Sequence, residues 1–229
     1  MRWQPKQRRS DVMTSQTLSA SGLSQADQDL ILRQQALLAA QQGNYDNAIA
    51  IFTQLIDRNP DSATDYNNRG LVYFQGGQLE AALADYTQAL ALNPRLDSAY
   101  NNRANYYAAR GEFLEAILDY DMAIDLNPSN VRAWINQGIT FRDLKMYERA
   151  VECFDMAICL GQLEGHIYAE RGRTYHLWGD WNFAIADYYR ALVALPEANG
   201  SRYNLATRLR EQIHTWLDEL IHPQFDLGV

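Results

Sequence analysis

Lysine and cysteine are both nearly missing from this chain. Two lysines stand against 18 arginines, and only Cys153 and Cys159 are present. The two cysteines lie six apart on one expected helix. Six residues is about 600° of rotation, which leaves the side chains well apart in angle. That excludes a disulfide framework and fits reduced thiols in a cytosol-like compartment. The four histidines, His166, His176, His214 and His222, form no His-x-x-x-His pair, and Cys-x-x-Cys is absent, so no zinc site is expected. A glycine-rich phosphate loop and a Gly-x-Ser-x-Gly elbow are absent too. We read the chain as non-catalytic and without a cofactor. It has no apolar run long enough to span a bilayer. The formal charge is -8. Arg2, Lys6, Arg8 and Arg9 outnumber Asp11 and Asp27 within residues 1–28, which leaves -10 on the rest. That sign argues against nucleic acid as the main partner.

What the chain does have is repetition. Tyr66-Asn67-Asn68-Arg69-Gly70-Leu71-Val72-Tyr73 returns 34 residues later as Tyr100-Asn101-Asn102-Arg103-Ala104-Asn105-Tyr106-Tyr107. It returns again from Trp134 to Phe141 and from Tyr168 to Tyr175. Each copy sets an aromatic, a small residue four on, and an aromatic three further, which is one stripe of a helix. The period divides the chain into units 29–62, 63–96, 97–130, 131–164 and 165–198. A second helix in each unit carries an alanine and an aromatic, such as Ala82 with Tyr86 and Ala116 with Tyr120. Four units end at Pro60, Pro94, Pro128 and Pro196, while Gly77, Gly111 and Gly179 mark turns between helices. The fourth unit departs from this. Lys145 replaces the turn glycine, and Cys159-Leu160-Gly161-Gln162-Leu163-Glu164-Gly165 replaces the proline stop, so a looser junction is expected there. In the first unit Leu32, Ala36 and Ala39 stand where later copies have aromatics.

This pattern resembles the tetratricopeptide repeat family over roughly 170 residues. The resemblance implies an all-α fold, a right-handed superhelical α-solenoid of five helix-turn-helix units with the first helix of each lining a concave side. Residues 27–198 would form the array. A last amphipathic helix at 199–221, with Tyr203, Ala206, Leu209, Ile213, Trp216, Leu217 and Leu220 on its apolar stripe, would cap the exposed end. Residues 1–26 are polar and aperiodic and are expected to be a disordered tail, with Met13 an alternative start. Residues 222–229 would be a second tail.

Position six of successive units holds Gln34, Asn68, Asn102, Asn136 and Glu170. An amide offers a donor and an acceptor, so a row of asparagines suits an extended peptide held by its backbone. This is similar to the asparagine ladder in the repeat region of O-linked N-acetylglucosamine transferase. The other reading is that the amides bond water or one another across adjacent helices. Beside the row lie Asn67, Leu71, Phe74, Asn101, Asn105, Arg132, Ile139, Arg142, Arg173 and His176. They describe a polar groove with an apolar strip, basic toward its later half. The expected partner is a protein or peptide segment, acidic with apolar anchors. The carboxylate clamp of the co-chaperone branch is incomplete, because Asn67 and Leu71 stand where a lysine and an asparagine would be. Arg69, Arg103 and Arg171 read as packed stems with exposed heads, and Asp85, Asp119 and Asp187 as solvated. The expected function is an adaptor or assembly factor. A self-associating scaffold using the terminal helix or first repeat is the alternative, with weak homo-oligomers. Arginine-rich, lysine-poor usage has a cyanobacterial or plastid flavour. The expected location is cytoplasmic, with peripheral membrane association and organellar targeting left open.

Overall fold

The computed structural model describes residues 24–196 and 205–221, all of its regular structure helical. In chain order the helices are α1 (Gln25–Gln41), α2 (Tyr45–Arg58), α3 (Ala63–Gln75), α4 (Leu79–Leu92), α5 (Asp97–Ala109) and α6 (Phe113–Leu126). Then come α7 (Val131–Asp143), α8 (Tyr147–Cys159), α9 (Glu164–Trp178), α10 (Trp181–Ala194) and α11 (Leu205–Ile221). They pack as consecutive antiparallel pairs, each even helix also touching the odd helix that follows. Successive odd helices from α3 to α9 touch one another, and comparable packing between successive even helices is not found among the described residues. The odd helices therefore line the tighter, inner side of an all-α solenoid.

Local chemistry sets the ends of these helices. Ser24, Asn44, Ser62 and Asn130 accept a hydrogen bond from the backbone N–H three residues on, covering one of the bare donors of α1, α2, α3 and α7. Helices α2, α4, α6 and α10 each stop two residues before a proline, whose ring clashes with a continuing helix. The N-terminal tail expected through residue 26 is corrected by two residues. Gln25 and Ala26 form the first turn of α1, because Ser24 supplies its cap. The rest of that segment, Tyr203 and the second tail lie outside the described residues.

Each pair closes on one contact. A Cβ added at Gly70 would lie 2.8 Å from Tyr86 Cε1, and one at Gly138 would lie 2.9 Å from Phe154. The small residue thus admits the aromatic of the partner helix. Ala48, Ala82, Ala116, Ala150 and Ala184 sit opposite, all fully buried. α11 lies against α9 and α10, and Ala206, Ile213, Trp216 and Leu217 join Tyr188, Ala191 and Leu195 in one apolar cluster. The Arg210 guanidinium donates to the Leu192 and Leu195 carbonyls at 2.5 and 3.1 Å, satisfying the bare C-terminus of α10.

Candidate functional site

The inner wall is where the repeat leaves side chains to spare. Of the position-six residues, Asn102 and Asn136 do not stand as free rungs. The Asn102 amide donates to Asn67 Oδ1 at 3.0 Å, Asn101 donates to Asn102 Oδ1 at 3.3 Å, and Asn136 donates to Asn101 Oδ1 at 3.3 Å. Asn67 and Asn101 are buried at 4% and 7% exposure, between successive odd helices. The four amides form a hydrogen-bonded run across α3, α5 and α7, the second of the two sequence readings. Asn105 is also engaged, accepting from the Tyr120 hydroxyl at 2.7 Å.

Asn68 differs. It makes no side-chain hydrogen bond with the described residues, and it lines a cleft of about 460 Å³ between α1 and α3. Leu71 lines the same cleft with Leu37, Tyr45 and Gln75. Phe74 and Ile139 are half-buried beside Tyr86 and Phe154 in the core clusters of their units. The cleft thus offers an amide beside leucine side chains at the N-terminal end of the wall.

The later half of the wall was expected to be basic, and the structure corrects this. Arg142 donates to Glu170 at 2.5 Å. Arg173 faces Glu219 of α11 at 3.3 Å and lies 5.2 Å from the centre of the Trp216 ring. His176 Nδ1 stands 3.2 Å from both the Arg173 guanidinium and the Tyr188 hydroxyl. Burial, and then the Arg173 charge, push the His176 pKa below its ordinary value, against the pull of Glu219. That keeps the imidazole neutral and accepting. α11 has taken the chemistry of this end for itself. Arg132 alone of the three arginines is exposed and without an ionic partner among the described residues.

Two further sequence readings are overturned. The heads of Arg69, Arg103 and Arg171 are not exposed, and Asp85, Asp119 and Asp187 are not solvated. Each arginine forms a two-pronged ion pair with the aspartate sixteen residues on, at 2.7 and 2.8 Å for Arg69 and for Arg103, and 2.7 and 3.0 Å for Arg171. Such planar forks are the strong form of charge-assisted hydrogen bond. Hydrogen bonding to the aspartate raises the pKa of Arg69 and Arg103 over the opposing effect of burial. Tyrosines three before and four after each arginine flank its guanidinium, at 5.5 and 5.7 Å for Arg69. Two of these arginines reach back into the preceding unit, Arg69 to Thr53 Oγ1 at 3.1 Å and Arg171 to Asp155. In the fourth unit the pair becomes Gln137 and Cys153. The thiol donates to Gln137 Oε1 at 3.4 Å, and Gln137 donates to Asp121 at 2.6 Å. Burial pushes the Cys153 pKa up to about 12, so it is a structural thiol with no nucleophile's character. Both cysteines are free. Among the described residues no three His, Cys, Asp or Glu side chains are grouped to hold a metal ion. None of the described helices is long and apolar enough to cross a membrane.

Antiparallel helix pairs at a constant period, with an inner wall of amides and apolar side chains, define a helical-repeat interaction scaffold. Tetratricopeptide repeat patterns match residues 33–97, 98–130 and 131–158 in succession, and the chain belongs to that family. Folds of this family are protein–protein interaction modules and are generally non-catalytic. Comparison with curated proteins finds no match. Solved structures are similar in fold. A thermophilic tetratricopeptide protein of Thermus thermophilus shares 19% identity over 82% of this chain and 98% of its own, with a TM-score of 0.71. The pilF protein of Pseudomonas aeruginosa shares 19% identity over 87% and 94%, with a TM-score of 0.66. The MamA protein shares 19% over 73% and 92%, with a TM-score of 0.58.

Proposed function

We propose that this protein is a non-catalytic binding module of five repeat units closed by α11, which holds an extended partner segment on its inner wall and serves as an adaptor or assembly factor. The observation that carries this reading is the cleft between α1 and α3, where the Asn68 amide is unspent beside Leu71. The partner segment presents an apolar side chain to Leu71 and a peptide group to the Asn68 amide, then runs on past Phe74 toward Ile139 and Arg132. The remaining wall asparagines set the spacing of α3, α5 and α7. An acidic residue in the partner would meet Arg132, since Arg142 and Arg173 already have carboxylates. The lysine-poor, arginine-rich composition favours a cyanobacterial or plastid setting for such a module.

The test is affinity capture from the native host with the wild-type chain and with Asn68→Ala combined with Leu71→Asp. The expected result is a partner held by the wild type and lost by the variant, at an unchanged urea midpoint. A partner retained equally by both would overturn the reading. Replacing Asn68, Asn102 and Asn136 together is a poorer probe, because it orphans the buried Asn67 and Asn101 amides and would lower stability as well. Self-association is a second reading, favoured by Leu30, Ile31, Leu37 and Leu38, which are exposed on α1. Light scattering decides it: a dimer that Leu37→Asp with Leu38→Asp converts to monomer would make the first unit an interface between copies.

A further inference from the structure

We infer that the outer face of α6 is a second docking surface, built for a basic amphipathic helix of a partner protein. The repeat supplies an internal control. Three outward positions on the second helix of each unit read Asp46, Ala50, Gln54 in the first and Glu80, Ala84, Gln88 in the second. They read Glu148, Glu152, Met156 in the fourth and Asn182, Ala186, Arg190 in the fifth. Only the third unit has Leu114, Leu118 and Met122 there, and they are 68%, 58% and 40% exposed. The three are spaced four apart, so they form one stripe on the face turned away from the core contact of Ala116 and Tyr120. Met156 is likewise exposed at the position of α8 equivalent to Met122. Core packing accounts for none of these side chains, since the other units build the same core with polar residues or alanine in their place, save for Met156 at one position of the fourth.

Charge identifies the occupant. α6 holds Glu115, Asp119, Asp121 and Asp125 and not one cation. Asp119 is neutralised by Arg103, while Asp121 receives only the neutral Gln137 amide. By helical spacing Asp121 and Asp125 lie on one side of the stripe and Glu115 on the other. Arg110 is committed to Glu112 at 2.8 Å and Glu80 at 3.9 Å, and Arg149 lies 4.3 Å from the centre of the Phe141 ring. An apolar stripe between carboxylate rails fits a helix with apolar residues on one face and lysine or arginine beside them. A second copy of this chain would bring the same negative rim against itself, and an anionic lipid surface would be repelled. The stripe from Leu114 to Met122 runs about 12 Å, close to two turns of such a helix.

The probe is a synthetic helical peptide of about 15 residues with leucine on one face and lysine elsewhere, long enough to pass all three side chains. Controls are the same peptide with glutamate for lysine, and the lysine peptide in a permuted order that destroys the stripe. Anisotropy titrations compare the wild type with the chain carrying Leu114→Glu, Leu118→Ala and Met122→Gln, the residues of the second unit. The lysine peptide should bind the wild type, bind this variant at least about tenfold more weakly as buried apolar area is lost, and outcompete both controls. Leu114→Glu adds a negative charge, so attraction by charge alone would strengthen in the variant. Equal or tighter binding by the variant, or equal binding of lysine and glutamate peptides, would overturn the inference. So would a wild-type dimer that the substitutions make monomeric. Leu114→Glu alone, at the most exposed position, should show the same direction of change without disturbing the fold.

Discussion

Tyr86, Tyr120 and Tyr188 occupy the same place in three units, and their hydroxyls end differently. Tyr120 donates to Asn105 and Tyr188 meets His176, but the Tyr86 hydroxyl is buried with no partner among the described residues. The cause is one substitution along the period, since Leu71 stands in the second unit where Asn105 stands in the third. The first and fourth units have Phe52 and Phe154 at the tyrosine's place, with Leu37 and Ile139 at that of Asn105, and no hydroxyl arises. Burial drives the Tyr86 pKa well above the ordinary tyrosine value, so the proton stays. Tyr86→Phe should therefore leave stability unchanged or raise it, whereas Tyr120→Phe should cost about 1 kcal/mol, read from urea midpoints. Equal losses would contradict this. The arginine forks are legible in the same way. Arginine at position seven always comes with aspartate at position twenty-three, while Gln35 and Gln137 come with Ile51 and Cys153. Covariation between units is a contact written along the chain, and reading each arginine alone misses it. Asp119→Cys by itself should cost about 3 kcal/mol by stranding Arg103, and adding Arg103→Gln should recover part of that loss as the neutral pair of the fourth unit re-forms.

At the level of helices and turns, the period fixed the pairing, and the boundaries followed from local stops. The fourth unit is the instructive case. Gly77 takes φ 77° at the turn between α3 and α4, and Lys145 takes φ 60° at the same place between α7 and α8. A residue with a Cβ pays a steric penalty in that left-handed region of roughly 1–2 kcal/mol. Lys145 is exposed and makes no ion pair among the described residues, so nothing at the turn depends on its side chain. Lys145→Gly should raise stability by about 1 kcal/mol, less what the freer unfolded chain gives back. A drop in melting temperature would show that the lysine serves a contact. Where the proline stop is missing, α8 ends at Cys159, Gly161 and Leu163 both turn left-handed, and α9 begins at Glu164, so the stack continues in step. The expected looser junction is thus a change in how the chain turns, with helix pairing maintained. Sequence could place the irregularity but not its geometry, because the aligned residues of the third unit, Asn127 and Ser129, are not left-handed.

For the molecule as a whole, the two ends of the inner wall are in opposite conditions. The first pair leaves a cleft beside Asn68, while α11 has filled the corresponding space beside α9 and drawn Arg173 and His176 into its own packing. α11 follows α10 as each odd helix follows the even one before it, but its residues do not repeat the unit's pattern, so the period gives its place and not the side chains it would meet. Folding of this end carries a pH dependence. The folded pKa of His176 lies below its ordinary value of about 6.5, so the unfolded state binds more protons between the two. The stability that a neutral His176 gives this end is complete above that ordinary value and is lost as pH falls below it. A proton on Nδ1 would face the Arg173 guanidinium and remove the acceptor used by Tyr188. Hydrogen exchange of α9 and α10, which hold His176, Arg173 and Tyr188, should therefore accelerate from pH 7 to pH 5 after correction for the intrinsic rate, while the α3–α4 pair stays protected. Trp216→Ala should accelerate it at every pH, because the ring that stacks on Tyr188 at 5.6 Å and receives Arg173 is gone. His176→Gln, which keeps an uncharged acceptor, should flatten the pH dependence. Persistence of the full pH effect in that variant would assign it to another group and detach the histidine from the helix it faces.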